Sequence, residues 1–250
     1  MELKLLEWNI HKMTNNISVK HFVIDTLISM EADVICLVEY IDDKGIETAI
    51  QKKGYYFAVS NTFSGNKVLI AVRNELAPNG IIVVNANEEK NCYNFLHIRF
   101  LMKNGEPLSI IGVRMLSPMD ANKQTPPLDS YLSGLEEPFL CTGDFNIRHS
   151  RMNTWFKNFS IENITNTKLP LWNVSIIYTD ENNIVNNFGD VDHIIYGKGV
   201  NILSSAYDWT FLSCDKSVYP NVAKIGMGTI WNIPAAYPDH ALMISNVEVP

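Results

Sequence analysis

The segment Gly143-Asp144-Phe145-Asn146 places a carboxylate and a carboxamide two residues apart, directly after a short apolar run. If this run is a buried strand, both side chains leave its end in the same direction. The carboxylate can then accept a proton or face a metal ion, and the carboxamide can orient a phosphate oxygen or a water molecule. Gly, Asp and Asn are also common turn residues, so this segment by itself leaves both interpretations open.

Four other strand-like segments also have polar side chains of this type at one end. They are Trp8-Asn9, Val38-Glu39, Val191-Asp192-His193-Ile194 and Pro238-Asp239-His240. Each of them taken alone is readily explained by a solvated loop, because charged residues are usually exposed. Five such segments in one ordered series are better explained by a shared site than by five unrelated loops.

In that order, these segments and their strand context resemble the endonuclease/exonuclease/phosphatase superfamily over residues 8–240. The resemblance implies a DNase I-like α/β fold, which is a four-layered sandwich of two mixed β-sheets packed face to face with helices outside. It also implies a metal-dependent hydrolase that acts on phosphate ester bonds, with Mg²⁺ as the cofactor and Mn²⁺ as a possible substitute.

For the metal site, the resemblance implies that Glu39 is the principal ligand, with Asn9 beside it and Asp239 as a second carboxylate. Mg²⁺ prefers oxygen ligands and keeps several water molecules, so one or two carboxylates are enough to hold it against a phosphate. The sequence leaves open whether one or two metal ions bind.

For the chemistry, the resemblance implies that Asp144 and Asn146 handle the nucleophilic water and the phosphoryl oxygens. It places His240 against the scissile phosphate, with Asp192 behind it to fix the tautomer of the ring. A histidine backed by an aspartate can act as an acid, a base or a cation. The sequence leaves open whether His240 takes a proton from water or stays charged to bind the phosphate.

Three positions depart from the family pattern. Relatives commonly carry Thr-His-Leu, or a tyrosine, where this chain has Val113-Arg114-Met115. Arginine keeps its proton at neutral pH but can bind a phosphate through two N–H groups, so Arg114 is expected to be a catalytic and substrate-binding residue. The alternative is that Arg114 pairs with a neighbouring carboxylate. His11 stands where some relatives carry an acidic residue and is expected to be a rim residue rather than a metal ligand, and Pro238 replaces the usual serine.

Side chains around these segments are also expected to contact the substrate. Arginine and lysine bind phosphate by charge, and a carboxamide or imidazole can donate a hydrogen bond to it. The expected substrate-binding residues are Arg114, Asn146, Arg148 and His149, with Lys123 and Arg151 as further cations of the rim.

Alternating strand and helix patterns would bring these residues together. The strand Leu3 to Trp8, a helix capped by Ser18 and the strand Val34 to Val38 form a predicted β-α-β unit, which brings Asn9 and Glu39 to one sheet edge. Loops are predicted at 180–187 and 215–235, where Trp231 could stack on a base. Further strands are predicted at 67–72, 81–84, 94–101, 108–113, 172–178, 192–196, 200–209 and 241–249, and short helices at 46–53, at 129–135 and from Ser150.

The composition limits the class of protein. The chain has 250 residues, of which 46% are hydrophobic and 19% charged, and this predicts a single globular domain over residues 1–250. The net charge of −7 argues against a protein that coats nucleic acid, but it allows a nuclease with a local basic rim. The absence of a long apolar run or a secretory signal predicts a cytoplasmic protein without a membrane anchor, and no obligate protein partner is evident.

Three functions remain open on these observations. The first is a Mg²⁺-dependent phosphodiesterase, most directly a nuclease that acts on DNA or RNA. The second is a phosphomonoesterase or lipid phosphodiesterase of the same fold, with inositol phosphate, a nucleotide or sphingomyelin as its substrate. The third is a binding module that has lost turnover, which Arg114 keeps open. The sequence does not distinguish endonuclease from exonuclease action.

Overall fold

A computed structural model describes most of the chain and contains two large mixed β-sheets with helices packed on them. The described residues are 1–11, 17–61, 66–86, 94–116, 121–168, 175–179, 185–220, 222, 228–230, 233–235 and 238–250. The elements of the first half are β1 (Glu2–Asn9), α1 (Ile17–Ser29), β2 (Val34–Tyr40), α2 (Lys44–Lys52), β3 (Tyr55–Val59), β4 (Lys67–Arg73), β5 (Ile82–Asn85), β6 (Asn94–Leu101), β7 (Pro107–Arg114) and α3 (Ala121–Ser133). Those of the second half are β8 (Phe139–Asp144), α4 (His149–Trp155), β9 (Ser160–Ile161), β10 (Asn166–Lys168), β11 (Ile176–Thr179), β12 (Val185–Gly189), β13 (Asp192–Tyr196), β14 (Asn201–Asp208), a 3₁₀ helix (Thr210–Ser213), β15 (Gly228–Ile230), β16 (Ile233–Ala235) and β17 (Leu242–Glu248).

The first sheet has seven strands in the order β10-β14-β17-β1-β2-β4-β3. Strands β1 and β2 are parallel, with Asn9 opposite Val38, and α1 connects them. This confirms the predicted β-α-β unit, and it brings Asn9 and Glu39 to the same edge of the sheet. Strand β17 pairs antiparallel with the other side of β1, so the residues just before Leu242 arrive at that edge too.

The second sheet has six strands in the order β5-β6-β7-β8-β13-β9. Strand β8 is parallel to β7 and antiparallel to β13. Arg114 on β7 is therefore opposite Asp144 on β8, and Asp144 is opposite Asp192 on β13. Three of the candidate residues thus stand side by side across neighbouring strands.

The two sheets pack face to face, as the predicted four-layered sandwich requires. Gly112 on β7 marks a close approach, because a Cβ atom there would lie 2.7 Å from Sγ of Cys36 on β2 and 2.5 Å from Cγ1 of Val68 on β4. Alternate residues of the second sheet serve two cores, since successive side chains point to opposite faces. Ile110 belongs to the core between the sheets, and its neighbour Ile111 belongs to the core formed with α3 and α4.

Two helix starts differ from the predicted caps. Helix α1 begins at Ile17, so Ser18 lies inside it and is not its cap. Helix α4 begins at His149 after Arg148, which makes no side-chain capping bond, so Ser150 is likewise inside. Caps were predicted from residue type alone, whereas the packing of the helix decides where its first turn falls.

Helix α3 is longer than predicted because it runs through Pro126 and Pro127. Proline lacks the N–H group, yet its fixed φ is helical. Leu128 and Leu132 are fully buried one turn apart and fix this helix on the second sheet. Burial of that apolar face outweighs the lost hydrogen bonds.

Two predicted loops contain strands. Residues Val185–Gly189 form β12, which pairs with β11, although 180–187 was expected to be a loop. Residues Gly228–Ile230 and Ile233–Ala235 pair as a hairpin within the predicted loop 215–235. Polar and glycine-rich composition suggested loops, but short ladders form there from backbone hydrogen bonds, which do not require apolar side chains. Trp231 lies outside the described residues.

The helices and thiols give two further observations. Within the described ranges, none of the helices has both the length and the apolar character needed to cross a membrane. Cys36 and Cys141 are buried free thiols, and Cys214 is a partly exposed one.

Candidate active site

Polar residues from both sheets meet where the sheets' strand ends face each other. Asn9 ends β1, Glu39 lies near the end of β2, and Asp239 with His240 comes just before β17. From the second sheet come the three residues that stand opposite one another on β7, β8 and β13. The shared cluster therefore contains Asn9, Glu39, Arg114, Asp144, Asp192, Asp239 and His240, together with Asn146, which bonds to Asp144.

His240 and Asp192 form a buried pair across the two sheets. Nδ1 of His240 lies 2.7 Å from Oδ2 of Asp192, and their side chains are 5% and 0% exposed. Burial lowers the pKa of His240, but the Asp192 carboxylate more than reverses this, so the pKa is raised well above its usual value. His240 is therefore a cation at neutral pH, with Nε2 as the ring nitrogen left outside this contact.

The backbone on both sides of this pair is anchored. Trp8 Nε1 donates a hydrogen bond to the carbonyl oxygen of His240 at 3.0 Å. The backbone N–H of Asp192 donates to the Ser175 hydroxyl at 3.0 Å, and the Tyr207 hydroxyl donates to the Asp192 carbonyl at 2.7 Å. These bonds fix the separation of the imidazole and the carboxylate.

Asp144 lies beside this pair as a buried carboxylate with several donors. Its Oδ2 accepts hydrogen bonds from Nδ2 of Asn9 and Nδ2 of Asn146, both at 3.1 Å, and its Oδ1 accepts the backbone N–H of Asn146 at 2.9 Å. Burial and the nearby Asp192 carboxylate raise the pKa of Asp144 to about 7. A carboxylate with this pKa is suited to accept a proton near neutral pH.

Asn146 connects Asp144 to the end of β7, and its expected contact with phosphoryl oxygens stays a prediction. Its Nδ2 donates to the Met115 carbonyl at 2.8 Å as well as to Asp144. Both contacts hold the segment after β8 against the end of β7.

Arg114 pairs with Glu39. Its Nη2 and Nε lie 2.8 Å and 3.2 Å from Oε1 of Glu39, and the two side chains are 18% and 11% exposed. Burial by itself raises the pKa of Glu39, but Arg114 outweighs it and the pKa is lowered. Of the two predicted environments for Arg114, the pairing with a neighbouring carboxylate is the one found.

His11 pairs with Asp239 next to it. Nδ1 of His11 lies 2.7 Å from Oδ1 of Asp239, and burial of Asp239 is nearly complete. Burial lowers the pKa of His11, but the Asp239 carboxylate outweighs this effect and the pKa is raised. The backbone N–H of His11 also donates to Oδ1 of Asn9 at 3.0 Å. His11 was expected to be a rim residue, and it is instead part of the cluster.

Unusual backbone conformations concentrate at this site. Four described non-glycine residues have positive φ, and three of them are His11 at 47°, Glu39 at 54° and Asn146 at 51°. Gly143 has a φ of 140°, and a Cβ atom there would clash with the Val113 carbonyl. Such conformations persist only where the surrounding structure enforces them, and they are common at functional sites.

The three expected metal ligands are engaged with other groups. Glu39 faces Arg114, Asp239 faces His11, and the Asn9 side-chain oxygen accepts the His11 N–H. Across the described ranges, no three His, Cys, Asp or Glu side chains are grouped so as to hold a metal ion. The Arg114 guanidinium at Glu39 does not fit a divalent cation on that carboxylate, whereas Oδ2 of Asp239 is buried without a hydrogen-bond partner among the described residues. Mg²⁺ stays a prediction from the resemblance.

The expected rim residues lie outside the cluster. The His149 ring is 5.8 Å from the ring of His193, which neighbours Asp192 on β13 and so points to the opposite face of the sheet. Arg148 is exposed before α4, and Arg151 and Lys123 are exposed on α4 and α3. Their role in substrate binding stays a prediction.

Sequence reasoning missed Glu7. This side chain is fully buried on β1, and neither of its carboxylate oxygens has a hydrogen-bond partner among the described residues. Burial, and then the Asp192 carboxylate, raise the pKa of Glu7 well above its usual value. The available signal was an acidic residue between the apolar Leu6 and Trp8, two residues before Asn9.

Solved structures similar to this chain have the same fold. An endonuclease/exonuclease/phosphatase family protein from Bacteroides thetaiotaomicron is 11% identical, with a TM-score of 0.67 over 99% of this chain and 98% of that one. D. rerio TDP2 complexed with single strand DNA product is 14% identical, with a TM-score of 0.64 over 99% of both chains. The human Nocturnin catalytic domain with bound sulfate anion is 12% identical, with a TM-score of 0.63 over 100% of this chain and 95% of that one. The chain matches no family model and no curated protein.

The chain therefore has the DNase I-like fold of the endonuclease/exonuclease/phosphatase proteins. This confirms the superfamily resemblance of the five motifs at the level of the fold, and it confirms the predicted sandwich of two mixed sheets.

Proposed function

We propose that this protein is a phosphoester hydrolase and that its preferred substrates are the phosphodiester bonds of DNA or RNA. The observation that carries the proposal is the pair of His240 and Asp192, 2.7 Å apart, beside an Asp144 carboxylate whose pKa is raised to about 7. A buried cation next to a buried base can catalyse hydrolysis of a phosphate ester, because the cation stabilises charge on the phosphoryl oxygens and the base activates the attacking water.

Each side chain has a role in this chemistry. Asp144 accepts a proton from the attacking water, because its raised pKa makes it a competent base near neutral pH. His240 stabilises the charge that develops on the phosphoryl oxygens and can donate a proton to the leaving oxygen, while Asp192 keeps its ring oriented. Asn9 and Asn146 position Asp144 through their hydrogen bonds.

Arg114 adds a second cation for the phosphate. A guanidinium group has five N–H donors, and the contact with Glu39 occupies those of Nε and Nη2. The remaining donors can bind a phosphate oxygen while the ion pair stays intact. This supports a role for Arg114 in binding the substrate rather than in donating a proton, since arginine does not release its proton at neutral pH.

The proposed preference for nucleic acid is based on two solved structures with the same fold. The D. rerio TDP2 structure contains a single strand DNA product, and the human Nocturnin structure contains a sulfate anion, which has the shape and charge of a phosphate. Both have the fold of this chain. The same fold and cluster also allow a small phosphate ester as substrate, which the following experiment separates from nucleic acid.

The test is a substrate panel. Purified protein is incubated with plasmid DNA, single-stranded DNA, RNA, inositol phosphates and mononucleotides, in Mg²⁺, in Mn²⁺ and in excess chelator. We expect cleavage of a nucleic acid, which His240→Gln reduces by about 10²-fold or more and Arg99→Ala leaves unchanged. Release of phosphate from small esters alone would show that the protein is a phosphomonoesterase rather than a nuclease. If no member of the panel is cleaved, the proposal of a hydrolase is refuted.

A further inference from the structure

Each charged carboxylate of the first-sheet edge already has a cation from the same chain. Asp192, the carboxylate that faces this edge from the second sheet and contacts His240, also has a cation. The closest contacts are 2.8 Å for Glu39 with Arg114, 2.7 Å for Asp239 with His11, and 2.7 Å for Asp192 with His240. Three buried carboxylates of the cluster therefore each have a cation of the chain beside them, whereas Asp144 is held by the amide donors of Asn9 and Asn146.

The pair of Arg114 and Glu39 is the one whose charge state is independent of pH near neutrality. The guanidinium group is always protonated in proteins, and its charge outweighs the effect of burial and lowers the pKa of the Glu39 carboxyl. The backbone of Arg114 is fixed at this edge, because it ends β7 opposite Asp144 in the ladder of the second sheet. Two guanidinium nitrogens converge on the same oxygen, Oε1 of Glu39.

A divalent metal ion on Glu39 would have to compete with this pair. If the ion entered beside Arg114, two like charges would lie within a few ångströms in a poorly solvated cluster. If the ion displaced Arg114, a guanidinium that is now 18% exposed would lose its partner, and an unpaired buried charge is strongly destabilising. Either route weakens metal binding.

We propose that Arg114 is the resident counter-cation of Glu39 and excludes a divalent metal ion from this carboxylate. The positive charge of the site then comes from side chains of the chain itself. The inference depends on the proposed function only in treating the cluster as a phosphate-binding site.

The test is a titration of the protein with Mn²⁺ at pH 7, followed by calorimetry and by the shift in Tm. We expect the wild type to bind at Glu39 at least about tenfold more weakly than Arg114→Ala, which corresponds to the loss of a modest charge repulsion. Arg114→Lys keeps the positive charge and should bind as weakly as the wild type. The double variant Arg114→Ala with Glu39→Gln should lose the binding that Arg114→Ala gains.

Arg99→Ala is the matched control, because Arg99 lies on the neighbouring strand and pairs with a glutamate, Glu137, at 3.5 Å. It should titrate like the wild type. Equal Mn²⁺ affinity in the wild type and in Arg114→Ala, lost on Glu39→Gln, would overturn the proposal. If Arg114→Ala does not fold, the wild type and Glu39→Gln decide alone, since binding that depends on Glu39 refutes the exclusion and its absence supports it. The titration needs no turnover, so its result can be read whether or not the hydrolase proposal holds.

Discussion

The imidazole of His240 and the carboxylate of Asp192 are 2.7 Å apart although they belong to different sheets. Asp192 opens β13 of the six-stranded sheet, and His240 precedes β17 of the seven-stranded one. The pair exists only because the two sheets pack face to face at this end. Its geometry therefore depends on the core between the sheets as well as on the site itself.

Asp192→Asn is expected to lower kcat/KM by about 10²-fold or more while keeping the fold, because the uncharged amide no longer stabilises the imidazolium. The pKa of His240 should fall, since the Asp192 carboxylate is what raises it. The measurements are steady-state kinetics on the substrate found in the panel and an NMR titration of the ring. Asp190→Asn, two residues earlier and outside the pair, is the control. An unchanged His240 pKa would contradict the assignment.

Asn9→Ala is expected to shift the acid limb of the pH–rate profile to higher pH. Its Nδ2 donates to Oδ2 of Asp144 at 3.1 Å, and a hydrogen bond to the ionised form lowers a carboxyl pKa. Without that donor, the pKa of Asp144 should rise above its present value of about 7. The profile of kcat/KM measures this directly, and Asn246→Ala on the exposed side of β17 should leave it in place. A limb that does not move would exclude Asp144 as the base.

Glu7→Gln is expected to stabilise the protein at neutral pH and to have a much smaller effect near pH 4. The folded pKa of Glu7 is raised above its ordinary value of 4.5, so its stability contribution is highest below that pH and is lost as the pH rises toward the folded value. At pH 7 the difference should reach up to about 3 kcal/mol. Urea denaturation at both pH values measures it. A difference that does not depend on pH would show that Glu7 is not held in its neutral form.

Arg114→Ala is expected to lower the free energy of unfolding by about 3 kcal/mol, because it leaves the buried Glu39 carboxylate without its cation. The loss should shrink at acidic pH, where the unpaired Glu39 can take up a proton. Chemical denaturation at neutral and acidic pH tests both statements. Arg99→Ala removes a half-exposed partner of Glu137 and should cost much less, within about 1 kcal/mol. Equal losses in the two variants would argue against a buried ion pair at Glu39.

Gly143→Ala is expected to destabilise the fold by about 3 kcal/mol or more, or to prevent soluble expression. The φ of 140° is unfavourable for any side chain, and the new Cβ would meet the Val113 backbone, which cannot move without breaking the β7–β8 ladder. Thermal unfolding measures the change. Gly134→Ala is the control, since its Cβ would lie 3.4 Å from the nearest atom outside its immediate neighbours and its φ lies outside the left-handed region. A stable Gly143→Ala variant would show that the ladder can shift.

The regular elements around the site could be predicted from the spacing of hydrophobic residues and from turn residues. The run from Val34 to Val38 is apolar on both faces, and it forms a fully buried central strand. The dipeptide Asn104-Gly105 between the strands predicted at 94–101 and 108–113 is typical of a tight hairpin turn. The structure pairs β6 with β7 there, and Gly105 has the positive φ of 88° that such a turn needs. These signals are local, so neighbouring residues are sufficient to read them.

The longer α3 and the strands at 185–189, 228–230 and 233–235 could not be predicted in this way. Pro126 and Pro127 argue locally against a helix, and only the burial of Leu128 and Leu132 on the sheet reverses this. Short ladders in polar segments depend on a partner strand, which composition does not reveal.

The sequence by itself determined which polar side chains stand at which strand ends, because strand periodicity and chain order place Asn9, Glu39, Asp144, Asp192 and His240 without knowledge of the packing. Only the tertiary structure decided which of these side chains contact one another. Arg114 is 75 residues from Glu39 in the chain, and His240 is 48 residues from Asp192. The distance between the two packed sheets decides which side chains can pair. That distance depends on the volumes of the side chains between the sheets, for example on the absence of a side chain at Gly112. No local sequence pattern encodes it.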